Sequence, residues 1–141
     1  MRVLVDTNIL LDAVLVERTG HVEAALFLDM VQRGRIIGFV TPMAMGTVCY
    51  YAQKQEPRLG AEIARGLIAT LLDLLEWVPV LPGHFSTALA STFTDLEDGA
   101  QFFAAMSVGK IDAIVTRDTK DFKEHVHVPV ITAAQCLKKL G

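Results

Sequence analysis

The feature that most constrains this chain is a set of short apolar runs, each stopping at polar or turn residues and each followed by a stretch with helical periodicity. Arg2-Val3-Leu4-Val5 halts at Asp6-Thr7-Asn8, and Ile36-Ile37-Gly38-Phe39-Val40 halts at Thr41-Pro42. Val78-Pro79-Val80, Asp112-Ala113-Ile114-Val115-Thr116 and Val128-Pro129-Val130-Ile131 complete the series. Runs this short and continuously apolar fit strands buried on both faces. Their alternation with helices predicts a central parallel sheet in a three-layer α/β/α sandwich.

The intervening stretches read as helices. Ile9, Leu10, Ala13 and Val14 recur at helical spacing behind good N-cap residues. Residues 21–33 carry Val22, Leu26 and Met30 on one stripe and stop at Gly34. Pro42 suits the first turn of a helix over 42–54. Residues 59–76 set Ile63, Leu67, Leu71 and Leu74 against Glu62, Arg65, Asp73 and Glu76. Proline in Val78-Pro79-Val80 predicts an edge strand. A further helix is expected over 84–92. Thr94-Asp95-Leu96-Glu97 fits the S/T-x-x-E capping box, opening a helix to about residue 108. Thr132 is placed to cap a terminal helix.

With 141 residues, 52% of them hydrophobic, the chain has the size and composition of one domain spanning 1–141. Charged residues at 21% and a mean hydropathy of +0.40 exclude global disorder. No apolar stretch approaches the ~20 residues that cross a bilayer. The opening residues lack the apolar length and cleavage site of a signal peptide. Cys49 and Cys136 form neither a disulfide framework nor a CxxC, so a reduced, cytoplasmic setting is expected. Cys49 is expected to be buried and inert, and Cys136 to pack against neighbours of the terminal helix. The net charge is −3, so any binding of nucleic acid must rest on a local basic patch or on cations.

In open parallel sheets, active sites lie beyond the carboxyl ends of the strands. Asp6 and Asp118 follow strands, and Asp98 falls in the first turn of a helix, where the dipole tolerates negative charge. Asp95, Glu97, Asp98, Asp112, Asp118 and Asp121 all lie between residues 95 and 121. Clustered carboxylates repel one another, and a hard cation such as Mg²⁺ or Mn²⁺ relieves that repulsion. Singly, each acid also suits a plainer role: Asp6 as a helix cap, Glu97 within the capping box, Asp118 and Asp121 in a turn.

Three segments resemble the PIN domain family: Val3-Leu4-Val5-Asp6-Thr7-Asn8-Ile9-Leu10-Leu11-Asp12, Asp95-Leu96-Glu97-Asp98 opening a helix, and Ile114-Val115-Thr116-Arg117-Asp118 with Lys120-Asp121-Phe122 after it. The resemblance covers essentially the whole chain, in order. It implies a compact α/β/α fold and Mg²⁺- or Mn²⁺-dependent ribonuclease activity. Small stand-alone members are often VapC-like toxins, paired with an antitoxin and frequently homodimeric. The resemblance makes Asp6, Asp98 and Asp118 the catalytic, metal-binding acids, with Asp121 as an additional metal ligand. Asn8 and Thr116 match supporting polar positions.

One departure stands out. After the second strand the family usually places a glutamate in the helix, and Thr47 occupies that position here. Glu56 is too far along to substitute, which leaves Asp12, Glu97 and Asp121 as possible compensators. A degenerate PIN domain that binds RNA or a protein partner without cutting is therefore the rival reading.

Arg117 and Lys120, with Lys123, follow the last acidic motif and are candidates for contacting RNA backbone. Their plain alternative is solvated surface. Tyr50 and Tyr51 suit stacking on an unpaired base, or else a core or dimer face. His125-Val126-His127 lacks further ligands for zinc, and exposed histidines before an edge strand are the simpler expectation. His21 and His84 read as helix-start residues. Asp6-Thr7-Asn8 supplies neither the acidic pair of a receiver domain nor the Asp-x-Asp of a dehalogenase-like phosphatase. No Gly-rich phosphate loop is present.

Overall fold

The structure is a computed structural model that describes residues 1–55 and 60–141. Five parallel strands lie in the order β3-β2-β1-β4-β5: β1 Arg2–Val5, β2 Ile37–Val40, β3 Glu76–Trp77, β4 Ala113–Val115 and β5 Val130–Ile131. The helices among the described residues are α1 Thr7–Val14, α2 His21–Gln32, α3 Pro42–Lys54, α4 Ala61–Leu74, α5 Pro82–Leu89, α6 Leu96–Met106, α7 Thr119–Lys123 and α8 Ala133–Leu140.

Strand alternation divides the core in two. Val3, Val5, Val40, Val115 and Ile131 face one side, packing with Leu10 of α1, Phe27 of α2, Val48 of α3, Leu71 of α4 and Cys136 of α8. Leu4, Phe39, Ile114 and Val130 face the other, against Phe102 of α6 and Phe122 of α7. The result is the three-layer α/β/α sandwich expected from the sequence.

Strand β1 sits at the centre, with Val3 paired to Gly38 of β2 on one side and to Ala113 of β4 on the other. Strand order therefore reverses between β1 and β4, and a crevice opens beyond their carboxyl ends. Asp6 leaves β1 into that crevice, and Thr116-Arg117-Asp118 leaves β4 into it.

Several boundaries differ from those expected. The third strand is Glu76–Trp77, two residues upstream of Val78-Pro79-Val80, and α4 accordingly stops at Leu74. Its pairing starts at Phe39↔Glu76, and the Val78 N–H still reaches Val40 O at 2.9 Å. Pro79 has no N–H to continue the ladder. The edge position agrees with expectation. Helix α5 begins at Pro82 and ends at Leu89, because proline occupies the first turn and the His84 ring Nδ1 accepts from Leu81 N–H at 2.9 Å. Asp95, not Thr94, caps α6: its Oδ1 accepts the Asp98 N–H at 3.0 Å. A charged acceptor at a helix N-terminus outcompetes the hydroxyl one residue earlier. Strands β4 and β5 are shorter than expected, and α6 ends at Met106.

Two apolar stripes are also reassigned. On α2, Val22 and Leu26 are 64% and 50% exposed, while Ala24, Phe27 and Val31 are buried. The helix carries two apolar faces, and the one holding Phe27 fills the core. On α4, Ile63 is exposed, and Ala64, Leu67, Ile68 and Leu71 turn inward. Cys49 is half-buried rather than buried, and Cys136 is buried with its thiol 3.9 Å from Met1 Sδ. The expected helix start at residue 59, and Glu56, lie outside the described residues.

Candidate active site

Asp6 is the N-cap of α1, and both of its carboxylate oxygens are engaged. Oδ1 accepts from the Thr7 N–H at 2.8 Å, and Oδ2 accepts from the Thr116 hydroxyl at 2.6 Å. Thr116 is fully buried, and its Oγ1 also accepts from the Asp118 N–H at 3.2 Å and from the Asn8 amide at 3.4 Å. Asn8 Oδ1 in turn accepts from the Arg117 N–H at 3.0 Å. A single threonine hydroxyl thus ties the end of β1 to the loop after β4. Asn8 and Thr116, which the sequence resemblance implies as supporting polar positions, both make hydrogen bonds in this knot.

Beyond this knot lies an open cavity of about 400 Å³. Asp6, Asp98, Asp118 and Asp121 line it, together with Asp95 and Glu97 at the start of α6. Thr47 and Tyr51 of α3 and Gln101 of α6 also line it, with Thr7, Asn8 and Leu11 of α1. Five of the six acids between 95 and 121 therefore share one space. Asp112 is the exception. It lies at the opposite end of the sheet, where the Arg2 N–H at 2.8 Å holds its carboxyl below the usual range, aided by Lys110.

The shared space is visible in the acids' protonation. Burial pushes Asp98 up to about 7, helped by the charges of Asp95, Asp6, Asp121 and Glu97. Burial also raises Asp6, against the opposing hydrogen bonds from Thr116 and Thr7, and Asp121 and Asp118 push it further the same way. Asp121 is raised by desolvation and by its hydrogen bond and charge repulsion with Asp118. Like charges in one partly desolvated site produce this pattern.

Thr47 faces the cavity from α3, but its hydroxyl is donated back to Met43 O at 3.3 Å. It therefore offers only lone pairs to the cavity. Asp12 does not compensate for it. Its carboxylate is buried away from the cavity and bound by Arg18 Nε at 2.6 Å and Arg117 Nη1 at 3.0 Å. Glu97 and Asp121 do reach the cavity. Arg117 is accordingly engaged by Asp12, whereas Lys120 lines an adjoining cavity with Asp95, Asp121, Glu124 and His125.

Gln101 was not singled out from the sequence. It is buried, its Oε1 accepts from the Thr41 hydroxyl at 2.6 Å, and it reaches the cavity one turn after Asp98. That i,i+3 relation on α6 was the signal available. Tyr50 and Tyr51 meet edge to face at 5.1 Å and are both exposed, with only Tyr51 on the cavity. His125 is half-buried, bonded through Nδ1 to Thr92 Oγ1 at 2.8 Å and resting on Phe93 at 4.8 Å. His127 is exposed. His21 and His84 sit in the first turns of α2 and α5.

Among the described residues no three His, Cys, Asp or Glu side chains are gathered to hold an ion as they stand. The donor chemistry nonetheless fits a hard divalent cation. The cavity wall offers several carboxylates whose protonation is raised by burial and by one another, and its described lining residues include no Cys or His.

An acidic crevice at the switch point of an α/β/α sheet defines the class, and the family follows from comparison. A PIN domain family model matches residues 2–120, and the chain belongs to the PIN domain family. Its fold resembles VapBC2 from Rickettsia felis, solved bound to a DNA fragment from their promoter. That match has 12% identity and a TM-score of 0.61, covering 92% of this chain and 97% of that one. It also resembles Mycobacterium tuberculosis VapC20, a toxin that cleaves the sarcin–ricin loop. There the identity is 16% and the TM-score 0.61, covering 89% of this chain and 98% of that one. No curated protein matches the chain by sequence.

Proposed function

We propose that this chain is an endoribonuclease dependent on Mg²⁺ or Mn²⁺, acting as the toxin of a VapBC-type pair. The observation that carries the reading is the convergence of Asp6, Asp98, Asp118 and Asp121 on one crevice, with Asp98 held up to about 7 by burial and its acidic neighbours. Membership of the PIN domain family and the fold shared with VapBC2 and VapC20 support the same reading.

Asp6, Asp98 and Asp118 would hold the cation, with Asp121 beside them. When bound, the cation supplies charge neutralisation for a phosphodiester and lowers the pKa of a hydrolytic water. The protein's own contribution is positioning. Thr116 holds the Asp6 carboxylate by its Oδ2, and the Thr7 N–H holds it by Oδ1. Thr116 and Asn8 hold the backbone that carries Asp118. Lys120 stands beside the acids in the adjoining cavity, within the region an RNA strand leaving the crevice would cross. Arg117, bound to Asp12, is the weaker of the two RNA-contact candidates.

The same reading includes an antitoxin protein, a homodimer and a cytoplasmic setting. Exposed Val22 and Leu26 on α2, and Ile63 and Leu72 on α4, supply apolar surface for such partners. No described helix is long and apolar enough to cross a membrane.

One observation favours the second reading, a PIN domain that binds RNA or protein without cutting. Thr47 stands on the cavity wall in place of the usual glutamate and donates its hydroxyl to its own helix. Purified protein incubated with structured and unstructured RNAs, in EDTA, Mg²⁺ or Mn²⁺, separates the two. Cleavage that needs metal and disappears in Asp6→Asn supports the nuclease. No cleavage by the wild type, with metal-independent thermal stability, supports the binding module.

A further inference from the structure

Asp12 is the one charged residue among the buried side chains of the described residues, at 1% exposure, and its placement is costly unless its partners are in place. Two arginines meet the same oxygen, Oδ1: Arg18 Nε at 2.6 Å and Arg117 Nη1 at 3.0 Å. They come from different places. Arg18 belongs to the α1–α2 connection, whereas Arg117 lies in the β4 loop, between the Thr116 that holds Asp6 and the candidate ligand Asp118.

The surrounding backbone is fitted to this carboxylate. A Cβ at Gly20 would collide with Asp12 Oδ2. The His21 ring bonds Asp12 O at 2.9 Å, so the α1–α2 connection closes directly over it. Arg117 is gripped at both ends: its N–H by Asn8 Oδ1 and its guanidinium by Asp12. Asn8 and Asp12 stand four residues apart on α1, on one helix face.

We propose that Asp12 is a positioning residue that, through Arg117, fastens the Thr116-Arg117-Asp118 loop to α1 and so sets where the Asp118 carboxylate stands. This assigns Arg117 to the scaffold of the site rather than to the RNA backbone. Its consequence for metal rests on the function proposed above; its consequence for the loop does not.

The shared oxygen provides the control. Arg18→Ala removes one arm of the knot and leaves the arm to the loop. Arg117→Ala removes the other, and Arg117→Lys restores a cation at that position. In the full chain, amide hydrogen exchange at positions 117 and 118 should quicken by about tenfold or more in Arg117→Ala, stay as in the wild type in Arg18→Ala, and recover in part in Arg117→Lys. Mn²⁺ affinity, read by the spectrum of free Mn²⁺, should fall by about tenfold in Arg117→Ala alone. A mere neighbouring cation would act with the opposite sign, since its removal would strengthen Mn²⁺ binding. Unchanged exchange in Arg117→Ala overturns the proposal, as does Mn²⁺ binding that stays equal or tightens. A wild type that binds no Mn²⁺ would instead overturn the metal reading, and the exchange comparison would still decide whether the Asp12–Arg117 link fastens the loop.

Discussion

The Thr116 hydroxyl donates to Asp6 Oδ2 at 2.6 Å across 110 residues of chain, from within a fully buried position. Because Thr116 Oγ1 also accepts the Asp118 N–H, this one atom serves both strand-end acids. Thr116→Val keeps the shape and removes these two bonds together with the one from the Asn8 amide. It should cost about 1–3 kcal/mol of stability and raise the protonation of Asp6 further, since its hydrogen bond from Thr116 is lost. Chemical denaturation measures the first, and the pH at which cleavage falls off measures the second. A variant as stable as the parent would count against the bond's importance.

Asp98 predicts a specific pH dependence. It ionises near 7 in the folded chain against 3.8 in its ordinary state. Between those values the folded chain keeps a proton that the unfolded chain has released, so stability falls as pH rises through that window. Below it the penalty is absent, and above it the penalty is complete. Asp98→Asn should flatten this stretch of the melting-temperature profile, raise stability at pH 8 in metal-free buffer, and abolish stabilisation by Mn²⁺. The same slope in both proteins would place the responsible charge elsewhere.

Thr47→Glu adds a carboxylate to the cavity wall. In EDTA it should lower the melting temperature, because one more like charge joins the cluster. In Mn²⁺ it should enlarge the stabilisation and raise cleavage. If it enlarges the stabilisation while cleavage remains absent in parent and variant alike, the non-cutting reading gains.

Gly20 and Gly46 make a matched pair. At Gly20 a methyl group would press on the Asp12 carboxylate, so Gly20→Ala should destabilise by about 1–3 kcal/mol. Gly46 lies on the exposed side of α3 with nothing within 4 Å of an added Cβ. Gly46→Ala should therefore stabilise by up to about 1 kcal/mol. Urea denaturation of the two variants tests both signs at once.

These residues also mark where sequence reasoning reached. The strands were legible because buried runs are short and end at polar residues. Asp6 and Asp118 were legible because they follow such ends, and Asp98 because it opens a helix. Val22 and Leu26 misled because α2 has two apolar stripes and only packing against α1 and α8 decides between them. The Asp12–Arg117 pair joins residues 105 apart. Its existence depends on how the loop after β4 approaches α1, which no local pattern encodes. The link from Gln101 to Thr41 is equally long-range, joining α6 to the N-cap of α3, and only the i,i+3 relation to Asp98 hinted at Gln101's place.

The central place of β1 carries a consequence for the order of folding. Its partner β2 follows closely along the chain, but its other edge waits for β4, and Asp112 N–H meets Arg2 O only when more than a hundred residues have been laid down. Contacts of such long separation form late. During synthesis the crevice therefore has one wall, and Asp6 has neither Thr116 nor Asp118 beside it.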